Sequence, residues 1–168
     1  KHVLVLAGDH IYKMDYGPMV AYHVEKGADI TVGVVEVSRD KAREFGVLSV
    51  TEWNRVTKFA EKPKEPESIP GRPDVALASM GIYVFNGRLL EKLLVEDAKN
   101  EGSKHDFGRN IIPPASDTTL AACAYAISPA GTSIDSAGGS GIAGVTAGGV
   151  AADGQVTLVL YGPPGLDY

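Results

Sequence analysis

His2 to Asp9 reads HVLVLAGD, a continuous apolar run closed by a glycine and a carboxylate. A short run of this kind, bounded by glycine, suits a strand buried on both faces. Buried strands of that type belong to sheets covered by helices, so the run points to an α/β domain. Outward from it, Asp15 to Lys26 reads as a helix. Asp15 can cap it, Pro18 sits in its first turn, Gly27 ends it, and Met19, Val20, His23 and Val24 form its apolar face. Asp29 to Val37 is rich in β-branched residues and reads as a second buried strand. Asp40 to Glu44 is a helical turn. Gly46 to Thr51 and Arg55 to Ala60 flank Glu52-Trp53-Asn54 as a hairpin. Lys64 to Asp74 holds Pro66, Pro70 and Pro73 and reads as a loop. Ala78 to Phe85 is a strand. Gly87 to Ala98 is a helix with Leu89, Leu90, Leu93 and Leu94 inward. The order of strand, helix, strand, hairpin, strand and helix predicts a partial Rossmann-like, doubly wound mixed sheet with an inserted hairpin.

The chain has 168 residues, a formal net charge of -5 and no basic run, which argues against nucleic acid as a partner. No apolar run approaches the roughly 20 residues of a membrane helix. The single Cys123 excludes an internal disulfide framework and fits a reducing, cytoplasmic setting. The chain opens on Lys1-His2, already inside the first strand and without an initiator Met, so its start reads as internal to a longer chain.

Composition changes sharply near Pro113. All 16 Lys and Arg residues precede position 114, and beyond it the acids are Asp117, Asp135, Asp153 and Asp167. Gly138 to Gly149, GGSGIAGVTAGG, is low-complexity and has nothing large enough to build a core. The expected organisation is therefore a domain over 1–113 and a poorly ordered Ala/Gly-rich tail over 114–168, packing poorly. Thr118 to Ile127 and Gln155 to Tyr161 are the tail's candidate strands.

Several residues have chemistry to offer. Asp9 follows a buried strand, and ligands of open α/β sheets bind outside the carboxyl ends of strands. A turn cap beside Gly8 is an equal reading of it. Phe59 to Pro63, FAEKP, sets a carboxylate beside an ammonium at a strand end, with Pro63 stopping the strand. Lysine is a compact point charge suited to phosphate. A generic Glu-Lys dipeptide is more often a solvated ion pair. Gly46 marks a bulge or a close approach of backbone to a ligand. Ser79 can offer a hydroxyl to a sugar, or serve as a turn residue. His105 and Asp106 lack the spacing of a metal site or a hydrolase.

LAGDHIYKMDY (6–16), FGVLSV (45–50), FAEKP (59–63), LASMGIYVF (77–85) and SKHDFGRNIIP (103–113) together resemble the bacterial glucose-1-phosphate adenylyltransferases, over about residues 1–113. The resemblance implies a nucleotidyltransferase that joins ATP and glucose 1-phosphate into ADP-glucose and pyrophosphate, for glycogen synthesis. It gives Asp9 to Mg2+ at the reacting phosphates, Lys62 to the sugar's phosphate and Glu61 to the sugar hydroxyls. It makes Gly46 a backbone contact to the sugar and Ser79 a further glucose ligand. The family is homo-oligomeric. Three family features have no match here: the glycine-rich triphosphate loop GGxGxRL, the second metal carboxylate of WRDVGT, and the C-terminal β-helix. The expectation is an internal, inactive fragment joined near Pro113-Pro114 to other sequence. That sequence reads as either an out-of-frame translation or a genuine extension. Two alternatives stay open: a non-catalytic sugar-phosphate binding module, and a related pyrophosphorylase using another base or sugar.

Overall fold

A computed structural model describes residues 1–7, 14–113 and 120–127, together with the backbone of 133–134 and 156–161. The chain order is β1 (His2–Ala7), α1 (Gly17–Glu25), β2 (Ile30–Ser38), a 3₁₀ turn (Lys41–Glu44), β3 (Gly46–Val50), β4 (Val56–Glu61), β5 (Val75–Asn86), α2 (Gly87–Ala98), a π-type turn (Phe107–Ile111), β6 (Ala122–Ile127), β7 (Ser133–Ile134) and β8 (Val156–Tyr161). The sheet is mixed: β2 pairs β6 and β1 pairs β8 in parallel, and the other pairings are antiparallel.

The 12-residue β5 is the spine of the sheet. It pairs β2 through Val75 to Ser79 and again through Ile82 to Phe85. On its other side it pairs β1 through Ile82 to Asn86 and β3 through Leu77 and Ala78. Alternation of side chains along each strand then makes two cores. Val5, Tyr83, Phe85 and Ala124 face the side covered by Leu90 of α2. Leu4, Ile82, Val84 and Tyr125 face the side covered by Met19, Val20 and Tyr22 of α1. One helix on each face is the doubly wound arrangement, and the β3–β4 hairpin extends the sheet at one edge.

Local signals set most element ends. The Asp15 carboxylate accepts from Gly17 N at 2.9 Å, Pro18 lies in the first turn of α1, and Gly27 follows it with φ 54°. Asn86 caps α2 by accepting from Arg88 N at 3.1 Å. Two apolar positions differ from expectation. Val24 is 53% exposed and Tyr22 takes its place inward, because the Tyr22 hydroxyl donates to the Ala124 carbonyl of β6 at 3.2 Å. Leu94 is 42% exposed, since α2 presents Leu90 to the sheet with Leu89 and Leu93 beside it.

The packed sheet also runs past Pro113. Every residue of β6 is buried, and Ile30 to Val34 of β2 pair with Ala122 to Ala126 in register. Small side chains suffice there, because β2 contributes Gly33, where a Cβ would lie 3.2 Å from Ile127 Cδ1. Both candidate strands after Pro113 are strands in the sheet, over slightly shorter spans.

Candidate functional site

The ladder fixes where the strand ends meet. In the β2–β5 register Gly33 faces Ile82 and Val34 faces Ser79, so Met80 and Gly81 are extra residues on β5. Gly81 takes φ 68°, which a glycine adopts without strain. This bulge breaks the other side of β5 as well. The last residue of β1 to pair β5, Leu6, faces Ile82, and the first of β3 to reach β5, Val47, faces Ala78. The end of β1 and the start of β3 thus border one gap, spanned by Ser79 to Gly81.

Gly46 opens β3 and faces Glu61, the last residue of β4. A Cβ at position 46 would lie 2.5 Å from Phe59 Cζ and 3.1 Å from Glu61 Oε2, so only glycine fits under that ring. Glu61 Oε2 also lies 3.3 Å from the Cβ position of Gly108, in the π-type turn. The half-buried carboxylate is held between two glycines on different elements. Lys62 follows with φ 47°, left-handed for a residue with a side chain, and its N–H donates to the Phe45 carbonyl at 3.0 Å. Its side chain is exposed. Among the described residues neither Glu61 nor Lys62 joins an ion pair, with each other or with another group.

Ser79 is half-buried at the bulge. Its Oγ accepts from Gly81 N at 3.3 Å and lies 3.4 Å from the Tyr83 hydroxyl. Tyr83 stacks on Phe107 with centroids 5.9 Å apart and planes at 13°. Phe107 precedes Gly108, which abuts Glu61. Contacts thus run continuously from Ser79 to Gly46. Four of the five expected site residues, Gly46, Glu61, Lys62 and Ser79, are brought to this region. Asp9 lies outside the described residues. The strand-end rule does not find Tyr83, Phe107 and Gly108. The signal for Phe107 and Gly108 was the HDFG run itself, a glycine directly after an aromatic residue, whereas nothing singled out Tyr83. Among the described residues no group of three or more His, Cys, Asp or Glu side chains gathers as a metal site.

A mixed sheet covered by a helix on each face, with a carboxylate and a lysine at a strand end beside the gap, is an α/β scaffold of the class that binds ligands at its strand ends. Residues 1–128 match the nucleotidyl transferase family, and the chain belongs to it. It is similar to the glucose-1-phosphate adenylyltransferase of Dechloromonas aromatica, at 59% identity over 112 residues, 67% of this chain and 26% of that protein. Glucose-1-phosphate adenylyltransferase 2 of Alkalilimnicola ehrlichii is 60% identical over 116 residues, 69% of this chain and 27% of its own length. The Nitrosococcus oceani enzyme of the same name is 58% identical over 113 residues, 67% and 27% of the two chains. The chain spans about a quarter of the length of these relatives.

Proposed function

We propose that this chain carries the sugar-phosphate side of a glucose-1-phosphate adenylyltransferase site. The observation that supports it best is the seating of the Glu61 carboxylate between Gly46 and Gly108, beside a Lys62 that joins no ion pair among the described residues. A carboxylate held this way can accept hydrogen bonds from sugar hydroxyls, and a free ammonium beside it can hold a phosphate. Gly46 lets the backbone approach the sugar, and the Ser79 hydroxyl adds a polar contact. In the proposed reaction the phosphate oxygen of glucose 1-phosphate attacks the α-phosphorus of ATP in line. Pyrophosphate leaves and ADP-glucose forms. Lys62 orients the nucleophile and offsets its charge.

Mg2+ is proposed on Asp9. When bound, it neutralises charge on the reacting phosphates. Asp9 is its one proposed ligand, and no described cluster adds a second. No described helix is long and apolar enough to cross a membrane. ATP and glucose 1-phosphate as substrates, in a cytoplasmic setting, complete the reading.

Isothermal titration of the chain with glucose 1-phosphate tests it. Lys62→Ala removes the phosphate's cation and should weaken binding by roughly ten- to hundredfold, the worth of one charge-assisted hydrogen bond. Asp9→Ala should bind nearly as wild type does, because the metal acts on the nucleotide side. Equal binding by wild type and Lys62→Ala would sink the proposal. An added ATP arm, read by pyrophosphate release, separates a catalytic site from a sugar-phosphate binding module.

A further inference from the structure

Asp97 sits in the last turn of α2, which carries no basic residue in that turn. A carboxylate at a helix C-terminus opposes the helix dipole, so the helix itself gains nothing from it. Its side chain is nonetheless only 9% exposed and uses both oxygens. Oδ1 accepts from the Ser103 hydroxyl at 2.6 Å, and Oδ2 lies 2.8 Å from His105 Nδ1. The Ser103 hydroxyl in turn accepts from His105 N at 3.0 Å. The two hydrogen bonds, Ser103 first and His105 second, hold the Asp97 carboxyl below the usual carboxylate range. An ionised carboxylate only accepts, so His105 carries its proton on Nδ1.

The closed ring of hydrogen bonds holds a strained residue. His105 has φ 53°, left-handed for a side chain with no glycine's freedom. The next residue, Asp106, caps the π-type turn by accepting from Arg109 N at 2.9 Å. That turn lays Phe107 on Tyr83 and Gly108 against Glu61. Released, His105 would relax to an extended or right-handed conformation and re-aim the chain entering the turn.

We propose that Asp97 is a positioning residue for the sugar-phosphate site. With Ser103 and His105 it clamps the loop that sets Gly108 against the Glu61 carboxylate. The inference rests on the sugar-phosphate reading above and adds a residue that touches no substrate.

The test is titration of glucose 1-phosphate into wild type, Asp97→Ala and Asp97→Asn, beside urea midpoints and amide exchange of each. Asp97→Ala should weaken binding roughly tenfold, the usual reach of a residue coupled through a packed network. Its urea midpoint should stay close to that of wild type. Asp97→Asn keeps an acceptor for Ser103, and its amide N–H can donate to His105 Nδ1 once the neutral ring carries its proton on Nε2 instead, so it should restore most of the affinity. Wild-type affinity in Asp97→Ala overturns the clamp, and so does an Asn variant as weak as the Ala variant. Should Asp97→Ala fail to fold, Ser103→Ala removes part of the ring and should show an intermediate loss; wild-type affinity there overturns the clamp. Amide exchange needs no ligand and separates the two readings. Wild type that does not bind glucose 1-phosphate removes the sugar-phosphate reading, whereas unchanged exchange over Gly108 to Ile111 in Asp97→Ala removes the clamp.

Discussion

Glu61 faces Gly46 across the β3–β4 ladder, and its Oε2 lies 3.1 Å from where a Cβ at position 46 would sit. The Phe59 ring closes over the same spot, and Phe59 is buried, so it has little room to swing aside. Gly46→Ala should therefore cost about 1–3 kcal/mol through overpacking, read as a lower urea midpoint. Adding Phe59→Leu relieves the ring contact, so the double variant should lose less than the sum of the single losses. Strict additivity would mean that ring and glycine do not meet. Glucose 1-phosphate affinity should fall in both the single Gly46→Ala variant and the double variant, because the new methyl group still meets Glu61.

Lys62 holds a left-handed backbone that its side chain disfavours. Strain of this kind is retained where the side chain is needed. Replacing Lys62 by alanine keeps the strain, while glycine removes it at some entropic cost. Lys62→Gly should thus be more stable than Lys62→Ala by about 1 kcal/mol. Neither variant should bind glucose 1-phosphate as wild type does. Thermal or urea unfolding of the pair, beside titration, checks both statements. An alanine variant as stable as the glycine variant would show that residue 62 is not strained in solution.

What the sequence made legible was what period and punctuation encode. Residues 2–7 announce a buried strand by their apolar run, and residues 29–37 by their β-branched content. Gly27 and the Glu52-Trp53-Asn54 turn mark real chain reversals. Positions 61 and 62 were legible as a strand end from Pro63, and as a candidate site only through the resemblance that FAEKP carries together with the other four motifs. What was not legible depends on tertiary partners. Tyr22 turns inward because β6, far along the chain, offers it a carbonyl. The bulge at Met80-Gly81 follows from pairing with two strands at once. The left-handed Lys62 and His105 carry no local signature, and Gly108 gains its meaning only where the π-type turn meets β4. Thr118 to Ile127 was legible as a candidate strand, but its close packing was not, since its neighbours Gly33 and Tyr22 could not be seen beside it.

Cys123 reports on that strand. It is the chain's one cysteine, it is 6% exposed, and burial pushes its thiol pKa up, opposed by the positive charges of Arg55 and Lys26. Little thiolate and little access should make it react with a thiol reagent at least about a hundredfold slower than in urea. A native rate equal to the unfolded rate would take β6 out of the sheet.

His23 should make the fold sensitive to acid. It is fully buried under α1, with Nδ1 2.8 Å from the Thr31 hydroxyl and its Nε2 without a partner among the described residues. The His2 ring stands edge-on 4.9 Å away. Burial first, then the His2 charge, push the His23 pKa down from 6.5 to about 4, with Asp29 opposing. The folded state therefore prefers neutral His23, and the unfolded state binds the extra proton. Its contribution is fully present above the unfolded pKa and is lost as pH falls from about 6.5 towards 4, at no more than about 1.4 kcal/mol per pH unit. His23→Gln keeps a polar partner for Thr31 but cannot charge. Urea midpoints at pH 7.5, 6, 5 and 4.5 should fall more gently in this variant than in wild type. His2 is shifted in the same direction, and Asp97 and Glu67 also lose stabilisation in acid. Asp97 and Glu67 lie apart from this pair and should act alike in both proteins, as should the His2 shift caused by desolvation and the N-terminus, so the difference between the two curves belongs to His23 and its coupling to His2. Parallel curves would mean that His23 takes up its proton without penalty, and that water reaches the space between α1 and the sheet.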